Sequence, residues 1–175
     1  MNLNEAKMLK ALQALDGKLS RPVKLIVGGG GAIILTHLFP LATADIDAVP
    51  GAGTTPEELD PLVKAVAQEL SLAPDWLNPY YATFTHVLPS DYSNRLVEVV
   101  HHKNLQVLAL SKDDLLIMKC FARRMKDRVH ARALVQAGAN INRVESHIEA
   151  LIGRQIPGAP EALDFLDEIL EMSGG

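Results

Sequence analysis

Cysteine is almost missing from this sequence: Cys120 is the single one in 175 residues. A lone cysteine excludes an intrachain disulfide framework and suits a reducing compartment. Positive charge is not in excess either, since 17 Lys and Arg stand against 21 Asp and Glu for a formal net charge of -4. Bulk electrostatics therefore give no reason to expect nucleic acid or an anionic membrane as a partner, although a local basic patch fits inside such a total. Long apolar runs are absent as well. The opening MNLNEAKMLKALQAL mixes charges every few residues, so it does not read as a signal peptide, and no segment has the length of a bilayer span. The expected location is the cytoplasm. There is no internal repeat and no low-complexity tract. What is present, 48% hydrophobic and 22% charged residues, suits one domain or a domain with a small helical appendage.

The pattern along the chain predicts strands mixed with helices first and helices alone last. Met8, Leu12 and Leu15 keep the spacing of an amphipathic helix that ends near Gly17. Val23 to Val27 reads as a short strand running into four glycines. A helix is expected from Ala32 to Phe39, stopped by Pro40, and a second strand from Asp45 to Val49. Thr55-Pro56-Glu57-Glu58 is a strong helix start, with a capping hydroxyl, Pro in the first turn and acids favourable to the dipole. Residues 71–94 have prolines and aromatics without a clean period. Leu96 to His101 and Leu105 to Leu110 predict a hairpin. Ser111 with Asp114 resembles a capping box opening a helix through Met125, and helices over Val129–Gln136, Arg143–Ile152 and Pro160–Met172 complete the chain. The expected class is α+β, with a mixed core over 1–110 and a helical C-terminal part over 111–175.

The stretch VGGGGAIILTHLFPLATADIDAV, residues 27–49, carries the chemistry. Glycines between a strand and a helix let a ligand approach the backbone closely and offer free N–H groups to an anion. A nucleotide-binding P-loop needs Gly-Lys-Ser/Thr, but this loop ends Gly-Ala-Ile. The dinucleotide pattern Gly-x-Gly-x-x-Gly fails at Ile33, and at Ile34 when shifted by one. Asp45 and Asp47 alternate with Ile46, which on a strand sends both carboxylates to one face, with Cα atoms roughly 6.5–7 Å apart. Two acids that close repel unless a cation or hydrogen bonds compensate. Hard oxygen ligands of this kind suit Mg²⁺ or Mn²⁺.

A glycine pair opening a short helix, followed by Asp-x-Asp on a strand, resembles the DNA polymerase beta type nucleotidyltransferase superfamily. A second segment, LPSDYSNRLVEVV…LQVLALSKDDLLIMKCFARRMKD, is similar to the later part of small bacterial nucleotidyltransferase-fold proteins related to abortive-infection toxins. Together the two span residues 20–137. The resemblance implies a nucleotidyltransferase-like mixed sheet flanked by helices with a C-terminal helical extension. It implies a triphosphate on Gly29, Gly30 and Gly31 beside Thr43, metals on Asp45 and Asp47, and a third carboxylate on a later strand. Glu98, the only acid in LVEVV, is the candidate for that third position. It also assigns Lys119, Arg123, Lys126 and Asp127 to the nucleotide, and their spacing on a continuous helix would set them on one stripe.

Departures from the pattern concern catalysis more than fold. Leu41 stands where relatives often carry Arg, and His130 where they often carry a final Asp. His101 and His102 lack zinc-ligand spacing. Cys120 is expected to pack in a helix, and Trp76, Tyr80 and Tyr81 to serve the core or its rim rather than stack a base. Two functions follow from the resemblance. One is a metal-dependent enzyme that moves a nucleoside monophosphate from an NTP to a hydroxyl acceptor, whether protein, tRNA or small molecule. The other is a weak or inactive member that binds a protein partner, or another copy of itself, in a toxin–antitoxin or phage-defence pair. For the second, the apolar stripe Leu163, Phe165, Leu166, Ile169 and Leu170 is the expected docking face.

Overall fold

A computed structural model of the chain describes residues 2–78 and 85–174. The chain divides into two compact units, the first made of Met1–Thr83 and Leu96–Leu110 and the second of Phe84–Arg95 and Ser111–Gly175. The class is α+β.

The first unit is a five-stranded mixed sheet with helices. In chain order its elements are α1 (Glu5–Lys18), β1 (Val23–Val27), α2 (Gly29–Leu35), β2 (Ile46–Pro50), α3 (Pro56–Leu70), β3 (Leu77–Asn78), β4 (Val97–His101) and β5 (Leu105–Ala109). The strand order is β3-β2-β1-β5-β4. β1 runs parallel to β5 and antiparallel to β2, β2 runs parallel to β3, and β4 runs antiparallel to β5. The register Val23↔Leu105, Leu25↔Val107 and Val27↔Ala109 stacks six buried residues on one face. Met8, Leu12 and Leu15 of α1 are fully buried, and so is Trp76, whose indole N–H donates to the Val63 carbonyl at 2.9 Å. Burial of a side chain of this size contributes about 1.5–3 kcal/mol. At the start of α3, Thr55 N–H donates to Glu58 at 2.9 Å while Glu58 N–H donates to the Thr55 hydroxyl at 3.3 Å, the reciprocal cap that the sequence predicts.

The second unit holds a short 3-10 turn (Tyr92–Arg95) and helices α4 (Lys112–Ala122), α5 (Met125–Gln136), α6 (Ile141–Gly153) and α7 (Ala159–Ser173). Its loop segment is tied to the helices by polar contacts that no periodicity announces. Arg95 donates to both carboxylate oxygens of fully buried Asp114, at 3.2 and 2.8 Å, and His147 Nε2 lies 2.8 Å from the Val87 carbonyl oxygen. Arg95 also pairs with Asp91 at 2.9 Å.

Several boundaries differ from expectation, among them the start of β2, at Ile46 rather than Asp45, and that of α5, at Met125 rather than Val129. Helix α2 begins at Gly29 rather than Ala32 and ends at Leu35, well before Pro40. Glycine's low helix propensity is overridden there by close packing on β2. The helix expected through Met125 stops at Ala122, because Arg123 turns left-handed (φ 50°) and Arg124 opens α5. No Gly or Pro marks that break. The apolar residues Phe165, Leu166 and Ile169 of α7 are buried within their own unit, so they are not a docking face.

Candidate functional site

The glycine loop and the Asp-x-Asp segment meet. Gly28 N–H donates to the Asp47 carbonyl at 2.9 Å, which fixes the loop against the start of β2. Gly29 then takes φ 58°, and a Cβ there would collide with Asp47 Oδ2 and lie 3.2 Å from Asp47 Cγ. Only glycine accepts both that backbone and that neighbour. At Gly30 a Cβ would press on Thr43, 3.2 Å from its hydroxyl oxygen, and Gly31 faces Ile46 at 3.3 Å. Thr43 itself is held by a two-bond bridge with Leu3, at 2.6 and 3.1 Å. Gly29, Gly30, Gly31, Thr43 and Asp47 are therefore in one place. Within β2, Ile46 and Ala48 are buried and Asp47 between them is half-exposed; Asp45, expected on the strand, lies one residue before it and is also half-exposed.

Sheet order decides the other acid. Glu98 pairs with Leu108 on β4 at the far edge, and β5 and β1 stand between it and β2. Three strand spacings amount to roughly 14 Å, so the sheet does not bring Glu98 to the aspartates. Its carboxylate instead accepts from Gln106 and lies 3.1 Å from His101 Nδ1, and these two contacts hold it below the usual carboxylate range. The residue opposite Asp47 is Asn78 on β3, whose amide donates to Asp47 Oδ1 at 3.3 Å. The sequence reading did not single out Asn78 for this role. Its only signal was a polar residue just after Trp76-Leu77, without a strand pattern long enough to place it.

Among the described residues no three His, Cys, Asp or Glu side chains group as a metal site. The donors along this loop and strand are the Asp47 carboxylate, the Asn78 amide bonded to it and the Thr43 hydroxyl beside Gly30, with Asp45 two residues before Asp47 in the chain. That set is hard and oxygen-rich, which fits Mg²⁺ or Mn²⁺, ions that take one or two carboxylates and fill their shell with water and phosphate.

Residues 6–152 match the family described as "Nucleotidyltransferase of unknown function (DUF6036)". The chain belongs to that family. No curated protein and no solved structure matches it.

In this family member the residues expected from the later segment lie in the second unit, and they do not share one helical stripe. The break at Arg123 folds the chain so that Lys119 on α4 meets Asp127 on α5, at 2.8 Å and with both side chains buried. Arg124 donates to the same carboxylate through its backbone N–H and Nε, each at 2.9 Å. Burial works to raise the Asp127 pKa, but Arg124 and Lys119 outweigh it and hold the carboxyl below its ordinary value. Burial lowers the Lys119 pKa against the pull of Asp127. Arg123 and Lys126 are exposed. His130 is pushed down to about 4 by burial first and by the Lys119 charge second. Cys120 is buried and its thiol is pushed up to about 12, in keeping with a packing role. Trp76 is core, while Tyr80 and Tyr81 lie outside the described residues. No helix among the described residues is long and apolar enough to cross a membrane.

Proposed function

We propose that this chain transfers a nucleoside monophosphate from an NTP to a hydroxyl-bearing acceptor, with Mg²⁺ or Mn²⁺ held by Asp45 and Asp47. The observation that carries this reading is the contact between Gly29 and the Asp47 carboxylate. A loop stripped of side chains beside the Asp47 carboxylate gives a polyphosphate room to lie against backbone and cation at once. Gly30 and Gly31 extend that bare surface, and Thr43 borders it with a hydroxyl. Asn78 donates to Asp47 and so fixes one carboxylate oxygen, leaving the orientation of the group defined before any ligand arrives. When bound, the divalent ion offsets phosphate charge and polarises the phosphoryl oxygens. The roles of Lys119, Arg123, Lys126 and Asp127 toward nucleotide rest on the resemblance alone.

Titration calorimetry of ATP, GTP, CTP and UTP with Mg²⁺ tests the reading. Saturable binding by the wild type that disappears in Asp45→Ala/Asp47→Ala is the expected result. Absence of binding with every nucleotide, in Mg²⁺ and in Mn²⁺, overturns it.

A second reading is favoured by one observation: the residue facing Asp47 is an amide rather than a third acid. In that reading the chain is a weak or inactive nucleotidyltransferase-fold binding protein, acting in a toxin–antitoxin or phage-defence pair. Nucleotide bound without transfer of its α-phosphate label to any protein, tRNA or small-molecule acceptor would select it.

A further inference from the structure

The charges on the second unit are sorted by helix. The segment 123–132, leading into and along α5, carries Arg123, Arg124, Lys126, Arg128 and Arg132, against one acid, Asp127, which is buried and already paired. Helix α7 has the opposite composition. Glu161, Asp164, Asp167, Glu168 and Glu171 are all exposed along it, and it has no Lys or Arg. The two helices lie side by side. Arg128 of α5 sits 5.6 Å over the Phe165 ring of α7 and pairs with Glu168 at the surface. The two helices thus set basic side chains on one side of their seam and acidic side chains on the other, with Arg128–Glu168 and Arg123–Glu161, the latter at 4.0 Å, pairing across it.

That face also leaves apolar side chains in water. Met125 is 84% exposed and Val129, one turn on, is 55% exposed; across the seam Met172 of α7 is 43% exposed. Met and Arg are enriched at protein interfaces. Isolated exposed apolar residues need no explanation, but a pair at i and i+4 in the opening turns of a basic helix makes a patch.

We propose that this face binds a second copy of the chain, α5 of each protomer lying on α7 of the other about a twofold axis along the seam. A face divided into a positive and a negative half is self-complementary under a twofold rotation, which sets each half on its opposite. Other occupants are repelled by one half. A polyanion laid across both helices meets the five acids of α7, and an acidic protein surface meets the same repulsion. The two helices offer a face roughly 20 Å by 20 Å, from their lengths and a usual interaxial distance. That is about half the area a partner gives to a standard interface, so the dimer is weak and depends on salt. The proposal stands apart from the glycine loop and Asp47, which are in the first unit.

Sedimentation velocity over a concentration series tests it. At low salt, about 10 mM, where charges act over about 30 Å, a reversible monomer–dimer equilibrium is expected; at about 1 M salt the range falls to about 3 Å and the dimer dissociates. Two charge variants sharpen the test. Met125→Glu/Val129→Glu leaves the α5 segment less basic and removes its apolar pair, and Asp164→Lys/Glu171→Lys leaves α7 much less acidic. Each is expected to weaken the low-salt dimer. The changed side chains are exposed, and unchanged melting curves for the two variants establish that both fold. If either melts early, Met125→Gln/Val129→Gln takes its place, with a weakened low-salt dimer expected. A wild type that stays monomeric at low salt, or a dimer indifferent to both variants, overturns the proposal. So does a monomer that shifts only on addition of duplex RNA, which would assign the face to a polyanion.

Discussion

The Asp47 carboxylate occupies the space that a side chain at Gly29 would need. Gly29→Ala thus meets two costs, a left-handed backbone of about 1–2 kcal/mol and a clash with an acid that strand pairing holds in place. The expected loss is about 2–3 kcal/mol in urea unfolding, together with loss of nucleotide binding. Gly17→Ala is the control. It lies in α1 with nothing within 4 Å of an added Cβ, and it should stabilise by about 0.5–1 kcal/mol.

Asn78→Asp would place a third carboxylate opposite Asp47 in the register of β2 and β3. Without divalent ions the new charge repels its neighbour, and the melting temperature is expected to fall. Addition of Mg²⁺ or Mn²⁺ should restore it by more than the same addition restores the wild type. A variant whose melting ignores both ions would count against a cation at Asp45 and Asp47.

Removing Arg95 strands Asp114 as an uncompensated charge with no exposure to water. Arg95→Ala should cost about 3–5 kcal/mol, the usual penalty for breaking one side of a buried pair. The loss should be local as well as global. Hydrogen exchange in residues 85–95 is expected to quicken before exchange in α6 does, since this arginine fastens the segment to α4.

Acid should weaken the fold in two separate windows. His130 titrates near 4 in the folded chain against an ordinary value of 6.5, so between those values the unfolded chain takes up a proton that the folded chain refuses. Stability falls as pH drops through that window, and His130→Gln should flatten the slope of urea midpoints there. Asp127 is different. Its folded value lies below the ordinary 3.8, so its contribution is intact above that value and is lost only at lower pH.

Local signals carried much of the fold. Helix α3 was legible because Thr55, Pro56 and Glu58 act within four residues, and the β4–β5 hairpin because its strands are adjacent in the chain. The glycines and aspartates were legible as a pair because a run of four glycines before Asp-x-Asp is unusual in itself. Glu98 was drawn toward the aspartates by its position on an apolar strand, yet strand order is a long-range property that nothing in LVEVV encodes. The break at Arg123 was hidden for a related reason. Arg, Met and Lys all favour helix, and only the burial of Asp127 between Lys119 and Arg124 stops it.

The sequence by itself determined the α+β class, the cap of α3, and the presence of a bare loop followed by Asp47 on the outward face of a strand. All of these arise from interactions a few residues long. Tertiary structure alone decided that Asn78 rather than Glu98 faces Asp47, that Lys119 is spent on Asp127, and that a basic and an acidic helix share one seam. Each of those depends on which distant segments pack together, and packing is set by the sum of burial over the whole chain rather than by any local pattern.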